Sequence, residues 1–262
     1  MTTTIALAGK GGVGKTTVAA MVIKYLVKTH RNPVLAIDAD PSSNLNMVLG
    51  MELDWTVGDI REEMLEQVKE SLAMGGAAMG SLPGGVTKRD YLDYQIRTAI
   101  IEGNSVDLIA MGRSEGAGCY CAVNHNLRMV IDSISNNYRY VVIDNEAGME
   151  HLSRRTTRHV DHLLIISDPT QRGIVAANRI ADFRKELDIQ INHAYLIINR
   201  LRGEIPPELK TGIERIGIPL LGIIQMDPKL SDFDINGKPL IELEDDDPVY
   251  ISVAEMMEKL EL

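Results

Sequence analysis

Seven short, nearly continuous apolar runs punctuate the chain, and helix-length amphipathic stretches lie between them. The runs are Ile5–Ala8, Val34–Asp38, Val106–Met111, Tyr140–Asp144, His162–Ser167, Ala194–Asn199 and Leu220–Ile224. Strands without a polar alternate face have no side to turn toward water. They suit a parallel sheet covered by helices on both faces. Helical periodicity is clearest at Thr16–Thr29, Gly58–Ala73, His151–Thr157, Gly173–Leu187 and Val249–Leu260. The alternation predicts an α/β class chain with a doubly wound, mostly parallel sheet, and places ligands at the carboxyl ends of its strands.

The segments between these elements add little chemistry. Met74–Gly85 is rich in Gly, Ala and Ser and is expected to form a mobile surface loop. The acidic run Glu242–Asp247 precedes Pro248, a pattern for a solvated turn followed by a helix start. No internal repeat is evident. The 262 residues are expected to form a single domain, residues 1–262.

Charge narrows the partners. A net charge of −10 and a pI near 5.1 argue against nucleic acid, which needs a basic face. No stretch approaches the ~18 apolar residues of a membrane span. The final helical pattern carries Glu255, Glu258 and Glu261 against Lys259, so it lacks the basic face of a membrane-binding tail. The start, Met1-Thr2-Thr3-Thr4-Ile5, has no basic residues and does not read as a signal peptide. The thirteen Met are expected to fill gaps in the core. Two cysteines, Cys119 and Cys121, fit a reducing cytoplasm, where thiols serve metals or redox chemistry.

The first apolar run ends in Gly9-Lys10-Gly11-Gly12-Val13-Gly14-Lys15-Thr16-Thr17. Gly9, Gly11 and Gly14 also satisfy the dinucleotide pattern GxGxxG, with Asp38 where a ribose-binding acid would sit. Lys15 and Thr16 decide for the phosphate loop G-x-x-x-x-G-K-[ST]. The loop amides converge on phosphate oxygens at the helix start, Lys15 reaches the β- and γ-phosphates, and the Thr16 hydroxyl ligates Mg²⁺. Val141-Val142-Ile143-Asp144 is an apolar strand ending in Asp, the Walker B pattern that holds Mg²⁺ directly or through water. ATP and ADP are the expected nucleotides.

Lys10 is not specified by a plain phosphate loop. Lys10-Gly11-Gly12-Val13-Gly14-Lys15-Thr16-Thr17 resembles the deviant Walker A motif of the ATPases that include nitrogenase iron protein and the septum-placement and partition ATPases. That resemblance implies that Lys10 reaches the ATP of a second copy, acting like an arginine finger in trans. Ala36-Ile37-Asp38-Ala39-Asp40-Pro41 resembles the family's D-x-D-P segment, which implies Asp40 at the attacking water and Asp38 in the outer shell of the metal. Asn145–His151 is the corresponding switch candidate, with His151 at a helix start as a capping or surface residue. Asn199-Arg200 resembles the segment with the family's adenine-contacting asparagine, and Gln225–Pro228 is a weaker candidate for the base pocket.

Met111–Cys119 resembles the loop of nitrogenase iron protein that carries a cluster cysteine. The second thiol here is Cys121 in the same segment, and Asn145–His151 contains none. Gly116-Ala117-Gly118-Cys119-Tyr120-Cys121, together with Asp144–His151, closely resembles the nickel-insertion ATPases of carbon monoxide dehydrogenase and acetyl-CoA synthase maturation, the CooC type. Two chains would supply four thiolates, a set suited to Ni²⁺, Zn²⁺ or an iron–sulfur cluster. His125 is a lesser candidate ligand. The expectation is a homodimer assembled on ATP or metal that delivers Ni²⁺ to apo carbon monoxide dehydrogenase or acetyl-CoA synthase. The alternative is an iron–sulfur ATPase, either a cluster scaffold or an ATP-driven electron donor.

Overall fold

In a computed structural model, seven parallel strands form one sheet in the order β3-β2-β4-β1-β5-β6-β7. The structure describes residues 2–73, 86–113, 129–147, 159–186, 189–260 and 262. The strands are β1 (Thr3–Gly9), β2 (Val34–Ala39), β3 (Val106–Ala110), β4 (Tyr140–Asn145), β5 (His159–Ser167), β6 (Gln190–Leu201) and β7 (Leu220–Gln225). All seven expected runs are strands. β1, β2 and β4 are buried almost throughout, as the lack of polar alternation requires.

Helices cover both faces. On one side lie α1 (Lys15–Lys28), the short α2 (Leu45–Leu49) and α9 (Pro248–Glu258), sharing a core with Leu7, Ala36, Val142 and Leu164. On the other lie α3 (Val57–Ala73), α4 (Lys88–Thr98), α5 (which includes residues 129–135), α6 (Gln171–Phe183) and α7 (Pro207–Arg215). Their core contains Ile37, Ile109, Ile143 and Ile165. Helix α8 (Pro228–Ile235) buries none of its residues. Alternate residues of one strand thus enter opposite cores, which is what a doubly wound sheet means at the level of side chains.

The expected loop at Met74–Gly85 and the expected helix at His151–Thr157 lie outside the described residues. None of the helices among the described residues is long and apolar enough to cross a membrane.

Candidate phosphate-binding site

β1 sits between β4 and β5, and the chain leaves it in one direction toward β2 and later fills the other side with β5 to β7. Its carboxyl end is therefore the point where the strand order switches, the place where open α/β sheets bind ligands. Lys10–Gly14 connects it to α1. No side chain caps α1, so its first-turn amides are left to the loop. Gly14 has φ 90°, and a Cβ there would stand 2.5 Å from Asn199 Nδ2. At Gly9 a Cβ would lie 2.5 Å from the Ile166 carbonyl oxygen of β5. The glycine spacing is thus set by backbone packing as well as by room for phosphate.

The expected phosphate-loop residues fall together. Lys15, with Thr16 and Thr17 behind it in the first turn of α1, is only 7% exposed, whereas Lys10, Gly11 and Gly12 are exposed and Val13 is buried. A Cβ on Gly11 would come 3.9 Å from the Ala147 methyl, so the residues after β4 run alongside the loop. Asn199 Nδ2 donates to the Val13 carbonyl at 2.8 Å, and the Arg200 guanidinium donates to the Gly12 carbonyl at 2.8 Å. Asn199 Oδ1 accepts from Arg200 N at 2.9 Å. The pair expected at adenine therefore braces the loop from the end of β6, leaving one amide hydrogen and one lone pair of Asn199 for another partner.

Three carboxylates gather beside the loop. Asp38 and Asp144 are register partners at the ends of β2 and β4. Thr16 Oγ1 donates to Asp144 Oδ2 at 2.6 Å, joining the first turn of α1 to the Walker B strand. Asp144 Oδ1 is buried without a partner among the described residues. Burial pushes Asp144 up to about 7, with Asp38 and Asp40 adding to the rise, while the Thr16 hydroxyl and Lys15 oppose it. Asp38 is pushed up to about 6 by burial, against the amides of Leu45 and Asp40 that hold it down. Its Oδ2 accepts from Leu45 N at 2.8 Å and its Oδ1 from Asp40 N at 3.0 Å. Asp40 is half-buried and accepts from Ser42 N at 2.9 Å.

The hydroxyl of Thr16 and the orphaned oxygen of Asp144 are hard donors beside a buried ammonium. Such a set fits a divalent cation that keeps water and phosphate among its ligands, as Mg²⁺ does. Asn145, read from the sequence only as the first residue of the switch candidate, also braces the sheet. It is 1% exposed, donates through Nδ2 to the Leu7 carbonyl at 2.8 Å and pins the end of β4 to β1. Its place directly after the Walker B aspartate was the available signal.

The weaker base-pocket candidates make contacts of their own. Asp227 caps α8 through Lys229 N at 2.8 Å, and Gln225 Nε2 donates to the Gly203 carbonyl at 3.0 Å. Cys119, Cys121, His125 and residues 148–151 lie outside the described residues. Among the described residues no group of three or more His, Cys, Asp or Glu is arranged to hold a metal ion.

Known proteins resemble the chain along most of its length. An uncharacterized ATP-binding protein of Methanocaldococcus jannaschii is 41% identical over 256 residues, covering 98% of this chain and 97% of that protein. The carbon monoxide dehydrogenase accessory protein CooC of Rhodospirillum rubrum is 29% identical over 250 residues, covering 91% and 89%. Among solved structures, the MinD cell division protein of Aquifex aeolicus superposes with a TM-score of 0.65 at 25% identity, covering 99% of this chain and 96% of that one. The model of the CobQ/CobB/MinD/ParA nucleotide binding domain matches residues 4–240. With a phosphate loop at the switch point of a parallel sheet and a Walker B aspartate bonded to its threonine, the chain belongs to that nucleotide-binding family and is an ATPase of the class.

Proposed function

We propose that the chain is an ATP-hydrolysing metal carrier that holds Ni²⁺ between two copies of itself and supports nickel insertion into carbon monoxide dehydrogenase or acetyl-CoA synthase. The observation that carries this reading is the likeness to the accessory protein CooC along 91% of the chain, in a sequence whose two cysteines form Cys119-Tyr120-Cys121. Two copies bring four thiolates to one soft or borderline ion, and Zn²⁺ would fit the same donors.

In this reading the amides of Gly9 to Gly14 and the Lys15 ammonium bind the β- and γ-phosphates of ATP. Thr16 and Asp144 would hold Mg²⁺, which supplies charge neutralisation at the phosphates. Asp40, half-buried at the rim, orients a water whose oxygen attacks the γ-phosphorus as the bond to the β-phosphate oxygen breaks. Lys10, exposed on the loop, reaches the nucleotide of the second copy. Asn199 offers its remaining donor and acceptor to adenine. Helix α9 buries Val249, Tyr250, Val253, Met256 and Met257 against the core, which disfavours a bilayer anchor in this helix.

Anaerobic titration of the metal-free protein with Ni²⁺, with mass followed in parallel, tests the reading. One ion per dimer is expected, lost in Cys119→Ser and Cys121→Ser while ATP binding persists. Equal stoichiometry in the wild type and the double variant would refute the carrier. Visible absorbance with matched iron and sulfide would assign the thiolates to a cluster instead.

A further inference from the structure

The end of β3 is fastened twice as it leaves the sheet. Met111 N donates to the Asp38 carbonyl at 2.8 Å, one rung beyond the β2–β3 pairing. The Met111 carbonyl accepts from Gly58 N at 2.9 Å, in the first turn of α3. That amide is one of the four that a helix start leaves without an intrahelical partner. Thr56 fixes the same turn with a capping box. Its Oγ1 accepts from Asp59 N at 3.2 Å, and Asp59 Oδ2 accepts from Thr56 N at 2.9 Å.

Two buried glycines close the contact from opposite sides. A Cβ on Gly58 would stand 2.1 Å from the Arg113 carbonyl oxygen. Gly112 adopts φ 62°, and a Cβ there would stand 2.2 Å from Thr56 Oγ1. Neither segment has room for one methyl group. Packing this close has low compressibility and passes a displacement on instead of absorbing it. One end of the contact is the Asp38 carbonyl, whose carboxylate also holds the turn through Asp40 and the start of α2. The other end, Arg113, stands six positions before Cys119.

We propose that Thr56–Gly58 and Met111–Arg113 form a rigid joint coupling the nucleotide end of β2 to the cysteine-bearing segment, with Gly58 and Gly112 as positioning residues. The inference rests on the metal-carrier reading above. It supplies a route separate from the switch after Asp144. Coupling of this kind is reciprocal, so nucleotide changes metal affinity by the factor with which metal changes nucleotide affinity.

The test is an anaerobic Ni²⁺ titration of the full chain, without nucleotide and with a non-hydrolysable ATP analogue. Trp55, the single tryptophan, is 52% exposed beside Thr56, and its emission reports the joint directly. In the wild type the analogue is expected to change nickel affinity at least ~5-fold and to shift Trp55 emission. In Gly58→Ala the change should fall below about 2-fold while the analogue binds as in the wild type. Thr56→Ser keeps the capping hydroxyl and removes the methyl facing Gly112. It should weaken the coupling in part, and it serves if Gly58→Ala does not fold. Undiminished coupling in the variants, or none in the wild type, overturns the joint and leaves the carrier standing. A wild type that binds no nickel overturns the carrier itself.

Discussion

Asp38 and Asp144 end neighbouring strands at the same level of the sheet, are almost wholly buried, and are treated oppositely by the chain around them. Asp38 spends both oxygens on backbone amides, Asp40 N and Leu45 N, and so closes the turn that begins α2. Asp144 has one oxygen on the Thr16 hydroxyl and the other buried with no partner among the described residues. A buried acceptor left bare costs free energy, so it persists where a ligand completes it. Equivalent positions in a sheet thus divide the work. One carboxylate closes a turn, and its neighbour keeps a buried acceptor with no partner among the described residues.

Substitution can break this contrast. The largest expected effect is on turnover: Asp144→Asn should lower ATP hydrolysis on the order of 10²-fold or more, read by phosphate release. Asp38→Ala should act first on folding. Removing the acceptor of two amides is expected to cost about 2 kcal/mol in urea unfolding of the ligand-free protein at pH 5. Should Asp38→Ala leave stability intact and abolish hydrolysis, the division of roles is wrong.

A smaller effect concerns pH. Asp144 titrates near 7 in the fold and near the ordinary carboxylate value when unfolded. Its protonated form is favoured by the fold, so this contribution is complete below about pH 4 and is lost as pH rises through about 7. Asp144→Asn should therefore gain stability relative to the wild type between pH 5 and pH 8, on the order of 1 kcal/mol. Parallel wild-type and variant pH profiles would remove the burial argument. The smallest change is expected for Thr16→Ser, which keeps the hydroxyl on Asp144 Oδ2. Ligand-free stability should stay within about 0.5 kcal/mol of the wild type in the same urea assay.

Much of the fold was legible because buried parallel strands leave an unbroken apolar trace. The trace failed where polar residues pair with each other at the amino edge. The fifth strand was expected from His162 but begins at His159, because Asp161 accepts from Thr4 N at 2.8 Å and from Asn192 Nδ2 at 3.1 Å. Helices escaped for different reasons. Among the described side chains of α4 only Leu92 and Ile96 are fully buried, one turn apart in a polar stretch. Pro207 and Pro228 open α7 and α8, two short helices that the periodicity did not announce, since proline suits a first helical turn. Helix α2 is five residues long and takes its start from the Asp38 side chain, a contact no local pattern contains.

What the sequence determined alone was the alternation of elements and the loop from Gly9 to Thr17, because glycines, lysine and threonine at fixed spacing carry their chemistry locally. It also identified Asp38, Asp40 and Asp144 as acids at strand ends. Which acid is spent on backbone amides and which keeps an open acceptor was decided by tertiary structure. Burial and hydrogen bonding depend on partners far along the chain: Thr16 lies 128 positions from Asp144, and Asn199 lies 186 from the Val13 carbonyl it braces. The fit of Gly58 against Arg113 has the same origin, since backbones meet closely only when the fold brings two unrelated glycines together.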